Sequence, residues 1–138
     1  MQGGQSKVFD PVRKNYYMLS PEEFVRQLLI LWLTQKGGFH RNNIQVEKLV
    51  RINGLSKRFD LVIYDKNIRP FILVECKDAS TPVRQETFDQ IAVYNMALKA
   101  PYLLVSNGLV TYCVKVDHSL KTYVFMEKVP QMTGDDGL

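Results

Sequence analysis

Two carboxylates and a lysine stand at a spacing that could hold a divalent metal ion. Asp60 lies in a run of β-branched and aromatic residues, 59–65, and Glu75 and Lys77 end a second run, 70–77. Both runs have the composition of β-strands. Carboxylates on paired strands repel unless a cation or a proton lies between them, and oxygen ligands suit Mg²⁺ or Mn²⁺. The pattern predicts a metal site on a hairpin.

The loop between the two runs sets the expected register. If residues 66–69 form the loop, Tyr64 faces Phe71 and Asp60 faces Glu75. Directly opposed side chains share a sheet face with Cβ atoms about 5 Å apart. We therefore expect the two carboxylates to meet.

Lys77 supplies the third group. Because side chains alternate along a strand, Lys77 returns to the face of Glu75, while Cys76 points away. A divalent ion at the carboxylates would polarise a phosphoryl oxygen, and Lys77 could orient or help deprotonate an attacking water. The pattern favours phosphodiester hydrolysis. The alternative is that Asp60, Glu75 and Lys77 form an ion-pair cluster on a solvated sheet face.

At these residues the chain resembles the PD-(D/E)XK nuclease superfamily, and more narrowly the N-terminal nuclease domain of type I restriction enzyme R subunits in its small stand-alone form. The resemblance covers roughly residues 20–130. It rests on P-E-E-F-V-R-Q at 21–27, K-R-F-D-L-V-I-Y-D at 57–65, L-V-E-C-K at 73–77, F-D-Q-I-A-V-Y-N at 88–95 and P-Y-L-L-V-S-N-G at 101–108. Phe59 replaces the proline that usually precedes the first aspartate.

The resemblance implies roles for particular residues. The metal ligands would be Asp60, Glu75 and the backbone carbonyl of Cys76. The catalytic residues would be the same two carboxylates together with Lys77, Gln90 and Glu22. Gln90 and Tyr94 match a Q-x-x-x-Y element that some branches place beside the active site. Without the resemblance, the sequence favours a solvated side chain for Gln90 and a side chain that extends from the core for Tyr94.

The first helix is expected to run from Pro21 to about Lys36, with Ser20 as its N-cap and Glu23 completing a capping box. Its core face is expected to comprise Phe24, Val25, Leu28, Leu31 and Trp32. On a helical wheel Glu22 lies about 100° from the centre of this stripe and Glu23 about 160° from it. We therefore expect Glu22 to approach the site and Glu23 to face solvent.

The remaining elements complete an α/β fold. Strands are expected at 44–51, 102–106, 109–116 and 121–128, and a second helix at 85–99. The strand that contains Glu75 should run parallel to the strand at 102–106 because a helix connects them. This order, α-β-β-β-α-β with a mixed central sheet and an extra C-terminal hairpin, is that of a restriction-endonuclease-like core.

Length and composition indicate one domain. The chain has 138 residues, 46% of them hydrophobic and 23% charged, which suffices for a single core. We expect a flexible lead-in at 1–15, a nuclease-like domain at 16–130 and a flexible tail at 131–138. With two cysteines in apolar runs, no signal peptide and no run of 18 apolar residues, the sequence favours the cytoplasm. No P-loop motif is present, so no ATP-driven motor is expected.

Basic residues around the proposed site suggest a polyanionic partner. The net charge is +4 and the pI about 9.1. Seven of these residues are expected to surround the site: Arg51, Lys57, Arg58, Lys66, Arg69, Lys77 and Arg84. For nucleic-acid binding the candidates are Lys57, Arg58, Arg84 and Tyr94. The alternative is an ordinary solvated rim.

The sequence therefore predicts a Mg²⁺-dependent (or Mn²⁺-dependent) deoxyribonuclease, expected to act as an endonuclease. Its expected partners are DNA, other restriction-modification subunits and a second copy in a homodimer, with no membrane. The alternative function is a non-catalytic module that binds nucleic acid or serves as an accessory piece of a restriction or repair complex.

Overall fold

The computed structural model describes residues 6–130 and shows a mixed α/β fold. A six-stranded sheet has the strands in chain order, with one parallel pair, β5 and β6, and antiparallel pairs elsewhere. The elements are β1 (Lys7–Asp10), β2 (Asn15–Met18), α1 (Pro21–Gln35), β3 (Ile44–Ile52), β4 (Leu55–Tyr64), β5 (Pro70–Cys76), α2 (Gln85–Leu98), β6 (Tyr102–Ser106), β7 (Thr111–Asp117) and β8 (Thr122–Met126). From α1 onward, the predicted element order and the parallel crossover are confirmed.

The core lies in two halves. Helix α1 packs Val25, Leu29, Ile30 and Leu33 with sheet residues such as Val74. Helix α2 packs on a second cluster with members Phe88, Ile91, Leu73, Leu103 and Val114. Burial of these apolar surfaces against the sheet provides most of the driving force for folding.

Helix α1 begins as expected but buries a different face. The Ser20 hydroxyl accepts a hydrogen bond from the Glu23 amide at 3.1 Å. The expected core face is wrong: four of its five members have at least 38% of their surface exposed, namely Phe24, Leu28, Leu31 and Trp32. Because α1 carries apolar residues on two sides, helical periodicity does not identify the buried one.

A β-hairpin precedes α1, and its first strand lies in the region where the sequence predicted a flexible lead-in. Strands β1 and β2 pair antiparallel, with Asp10 opposite Asn15. Asp10 is fully buried and accepts hydrogen bonds from Arg13 and from the Val12 amide. Because this part of the sequence shows no hydrophobic periodicity, the two strands could not be predicted from it. Residues 1–5 and the predicted tail at 131–138 lie outside the described residues.

The β3–β4 ladder is irregular at one level. Its pairing omits Glu47 and Asp60, and Glu47 has a left-handed backbone with φ of 60°. Phe59 packs on the α2 side and Leu61 on the α1 side, although regular alternation puts residues two apart on one face. The face of the strand therefore changes at Asp60.

The β4–β5 pairing follows the predicted register over its centre. Val62 faces Leu73, as expected. The register shifts next to the loop, so that Tyr64 faces Pro70 and the expected pair with Phe71 is wrong. At the other end the last regular pair is Leu61 with Val74, so the two strands separate at the level of the proposed site.

Candidate functional site

Asp60 lies where β4 separates from β5, and both of its carboxylate oxygens are engaged. Oδ2 accepts a hydrogen bond from the Cys76 amide at 2.7 Å. Oδ1 accepts one from Arg26 Nη2, on α1, at 2.8 Å. The side chain thus replaces a backbone partner for the Cys76 amide and fixes the carboxylate between the strands. Only 12% of its surface is exposed.

Glu75 lies beside Asp60 and is held by two lysines. Its Oε2 is 2.6 Å from Lys57 Nζ and 3.6 Å from Lys77 Nζ. Burial raises the pKa of the Glu75 carboxyl; the hydrogen bond from Lys57 opposes this effect, and the adjacent Asp60 carboxyl adds to it. The expected meeting of Asp60, Glu75 and Lys77 is therefore present in the structure.

A buried chain of charges links this site to the N-terminal hairpin. Glu23 accepts hydrogen bonds from Arg13 at 2.8 Å and from Arg26 at 2.9 Å. Arg13 also bonds Asp10 on the hairpin, and Arg26 also bonds Asp60. The alternating signs allow charges this deeply buried to compensate one another.

Sequence reasoning missed Arg26 and misplaced Glu23. Glu23 is only 7% exposed, so the expectation that it faces solvent is wrong. Arg26 stands three residues after Glu23, a spacing that places both on one helix face. That spacing, inside the P-E-E-F-V-R-Q element, is the signal that could have identified Arg26.

The donor set suits a magnesium ion that shares its coordination with a substrate. Among residues 6–130 no group of three or more His, Cys, Asp or Glu side chains is arranged to hold a metal ion. The two carboxylates that meet are Asp60 and Glu75. Mg²⁺ is usually bound through one or two carboxylates plus substrate phosphates and water. The residues present therefore fit such an ion.

Cys76 contributes backbone rather than thiol chemistry here. Its side chain is 2% exposed and packs in the α1 half of the core, on the face away from Glu75, as predicted. Burial raises the pKa of the thiol, and the negative charge of Asp60 raises it further. The thiol is therefore neutral, and the backbone carbonyl is the group of Cys76 that remains a candidate ligand.

The other predicted site residues take no part in the hydrogen bonds that join Asp60, Glu75 and their partners. Glu22 is exposed on α1, and its charge is among those that raise the pKa of Cys76. On α2, Gln90 is exposed and Tyr94 packs against the α2 half of the core. Their roles stay predictions.

The basic residues divide into two groups. Lys57 bonds Glu75, and Arg58 follows it with an exposed side chain. Arg84 is exposed at the N-terminus of α2. Lys66 and Arg69 lie in the loop at the opposite end of the β4–β5 pair, so the expectation that they surround the site is wrong. The hairpin extends by several residues between Asp60 and this loop, which separates the two ends.

A separate cleft of about 400 Å³ lies between α2 and the β7–β8 end of the sheet. Its lining includes Val93, Met96, His118 and Tyr123, and none of the carboxylates described above. It is therefore distinct from the candidate site. Helices α1 and α2 are too short to cross a bilayer, and the described residues include no other candidate span.

Comparison with known proteins identifies the family to which the chain belongs. Residues 21–130 match the family described as type I restriction enzyme R protein N terminus, and the chain belongs to that family. A search of curated protein sequences gave no significant match.

A solved structure shares the fold. It is a fragment of a protein assigned as the HsdR subunit of a type I restriction enzyme from Vibrio vulnificus YJ016, with a TM-score of 0.58 and 18% sequence identity. The match covers 82% of this chain and 24% of that chain, so the chain spans about a quarter of the length of this relative.

Proposed function

We propose that this chain is a divalent-metal-dependent deoxyribonuclease of the PD-(D/E)XK type, acting as an endonuclease. The observation that carries the proposal is the meeting of Asp60, Glu75 and Lys77 where β4 and β5 separate. Membership of the R protein N-terminal family supports it. The order α1-β3-β4-β5-α2-β6 supports a restriction-endonuclease-like core, which is part of the proposal.

Asp60 and Glu75 would hold Mg²⁺ or Mn²⁺, with the Cys76 carbonyl as a third protein ligand. When bound, the ion would polarise a phosphoryl oxygen and offset its developing negative charge. The Cys76 amide orients Asp60 from one side, so this carboxylate is fixed before substrate arrives. Glu75 is anchored by Lys57 in the same way.

Lys77 is the proposed catalytic lysine. Its ammonium is 3.6 Å from Glu75 Oε2, and its side chain is 34% exposed, so it can reach both the carboxylates and a substrate. In that position it can orient a water and donate to a phosphate oxygen. Gln90 and Glu22 are proposed as auxiliary catalytic residues on the two helices.

DNA would approach over basic residues of β4 and of the N-cap of α2. Lys57, Arg58 and Arg84 are the proposed phosphate contacts, with Tyr94 as a further contact from α2. Other restriction-modification subunits are proposed partners, and the homodimer and the cytoplasmic location stay predictions.

Cleavage of supercoiled plasmid, linear duplex and single-stranded DNA with Mg²⁺ or Mn²⁺ tests the proposal. Wild type should cut only with metal, and Asp60→Asn and Lys77→Ala should each lower the rate at least about a hundredfold. Lys66→Ala is the matched control because Lys66 lies at the opposite end of the hairpin. Equal loss in this control would show that Lys77 acts only through overall charge.

A non-catalytic binding module is the second candidate. It is favoured by one observation, namely that Arg26, Lys57 and Lys77 already compensate both carboxylates. Wild-type inertness on every substrate, together with retained binding of duplex DNA, would establish this alternative. DNA binding that is unchanged in Asp60→Asn would then separate binding from the carboxylate pair.

A further inference from the structure

Arg26 occupies the carboxylate that the proposed metal ion would need. Its Nη2 donates to Asp60 Oδ1 at 2.8 Å, and the side chains of both residues are largely buried. A metal ion at Asp60 would lie beside a permanently charged guanidinium with little water to screen the repulsion. The two cations therefore compete for Asp60.

The guanidinium of Arg26 has one donor without a partner. Nη1 donates to Glu23 and Nη2 to Asp60. Within the described part of the chain, Nε of Arg26 is the only buried side-chain nitrogen or oxygen without a hydrogen bond. A buried polar atom that lacks a partner is unfavourable and requires an explanation. The present position of Arg26 does not satisfy all of its donors.

A second carboxylate stands next to Arg26. Glu47 Oε1 is 3.7 Å from Arg26 Nη1, beyond hydrogen-bonding distance but within the range of an ion pair. Glu47 is also the residue that the β3–β4 ladder omits opposite Asp60, and its left-handed backbone, φ 60°, is strained for a residue with a Cβ. Its side chain is 44% exposed.

From these three observations we propose that Arg26 is a displaceable counter-ion of Asp60 and that Glu47 receives it. In the metal-free state Arg26 neutralises Asp60. Metal binding at Asp60 releases the guanidinium toward Glu47, while Glu23 keeps its bond to Arg26 and acts as the pivot. Arg26 and Glu47 are thus positioning residues that set metal affinity, and this inference rests on the proposed metal site.

Titration calorimetry of the full chain with MnCl₂ and MgCl₂ tests the proposal without any assay of activity. Arg26→Gln should bind Mn²⁺ at least about fivefold more tightly than wild type, because Asp60 is no longer occupied. Glu47→Gln should bind at least about fivefold more weakly. Glu127→Gln, an equal charge change at an exposed position after β8, is the control and should leave affinity within about twofold of wild type.

The double variant Arg26→Gln/Glu47→Gln distinguishes the exchange from simple attraction between Glu47 and the ion. If Glu47 acts by receiving Arg26, its substitution has no effect once Arg26 is absent. Direct attraction would persist, so an equal effect of Glu47→Gln in both backgrounds overturns the proposal. Weaker binding by Arg26→Gln also overturns it.

A replacement variant and a test of the metal site itself complete the experiment. If circular dichroism shows Arg26→Gln to be unfolded, Arg26→Lys replaces it, since lysine keeps a charge near Glu23 but lacks the planar fork that bridges two carboxylates. Wild type that binds no Mn²⁺, or Asp60→Asn that binds it as well as wild type, refutes the metal site and with it the proposed function. Wild-type binding that requires Asp60 but ignores Arg26 and Glu47 refutes only this inference.

Discussion

Neutralising Glu23 should destabilise the protein far more than neutralising its neighbour Glu22. Both stand in the first turn of α1, so each loses the same favourable interaction with the helix dipole. Glu22 is exposed, whereas Glu23 is 7% exposed and accepts hydrogen bonds from Arg13, Arg26 and Gln27. The pair Glu23→Gln and Glu22→Gln therefore isolates the buried network.

The magnitude follows from the contacts. Removing one partner of a buried ion pair costs about 3–5 kcal/mol. Arg13 and Arg26 each keep a second carboxylate, Asp10 and Asp60 respectively, so we expect the lower end, about 3 kcal/mol. Unfolding a chain of 138 residues has an entropy of about 0.3 kcal/mol/K near Tm, so a loss of about 3 kcal/mol in Glu23→Gln should lower Tm by about 10 °C.

Urea unfolding followed by fluorescence of Trp32, the only tryptophan, measures this difference. Glu22→Gln should lie within about 0.5 kcal/mol of wild type once the dipole contribution is included. Equal free energies of unfolding for the two variants would refute the reasoning, because they would show that Glu23 has no more stabilising partners than an exposed carboxylate.

Three further predictions concern stability and reactivity. Ile68 is 80% exposed and has a φ of 60°, a backbone region that disfavours β-branched residues. Ile68→Gly should therefore raise the free energy of unfolding in urea by about 0.5–1 kcal/mol, and Ile68→Ala should raise it by less. Cys76 and Cys113 are at most 3% exposed, and burial raises the pKa of Cys113 to about 12. Neither thiol should therefore react with a disulfide reagent at pH 8 until the chain is unfolded. Rapid reaction of the native protein would contradict this burial. Burial alone would raise the pKa of Asp10, but hydrogen bonds from Arg13 hold the pKa of this carboxyl below its usual value of 3.8. The ionised Asp10 therefore stabilises the fold above that pH, and this stabilisation is lost as the pH falls. Asp10→Asn should accordingly show a shallower loss of stability between about pH 5 and pH 2 than wild type, and parallel curves would contradict this assignment.

Much of the sheet could be predicted because its signals are local. The β4–β5 hairpin follows from two β-branched runs and a short polar loop, and the predicted pair of Val62 with Leu73 is present. The shift that pairs Tyr64 with Pro70 could not be predicted, because a register shift at a loop depends on the turn geometry.

The candidate site was predictable only in part. Asp60 and Glu75 were identified from strand alternation and hairpin register, both of which act over a short stretch of chain. Arg26 reaches Asp60 from 34 residues away, and no local pattern indicates that contact. The irregular pairing at Glu47 is likewise a property of two strands together rather than of one.

The sequence by itself determined the order of helices and strands from α1 onward and the pair of carboxylates that could hold a metal ion, because periodicity and turn residues act between near neighbours. Only the tertiary structure decided which face of α1 is buried, because that helix is apolar on two sides. That choice places Glu23 and Arg26 inside and Glu22 outside. It thereby sets the charges around Asp60, since buried charges interact through a medium that screens them far less than water does.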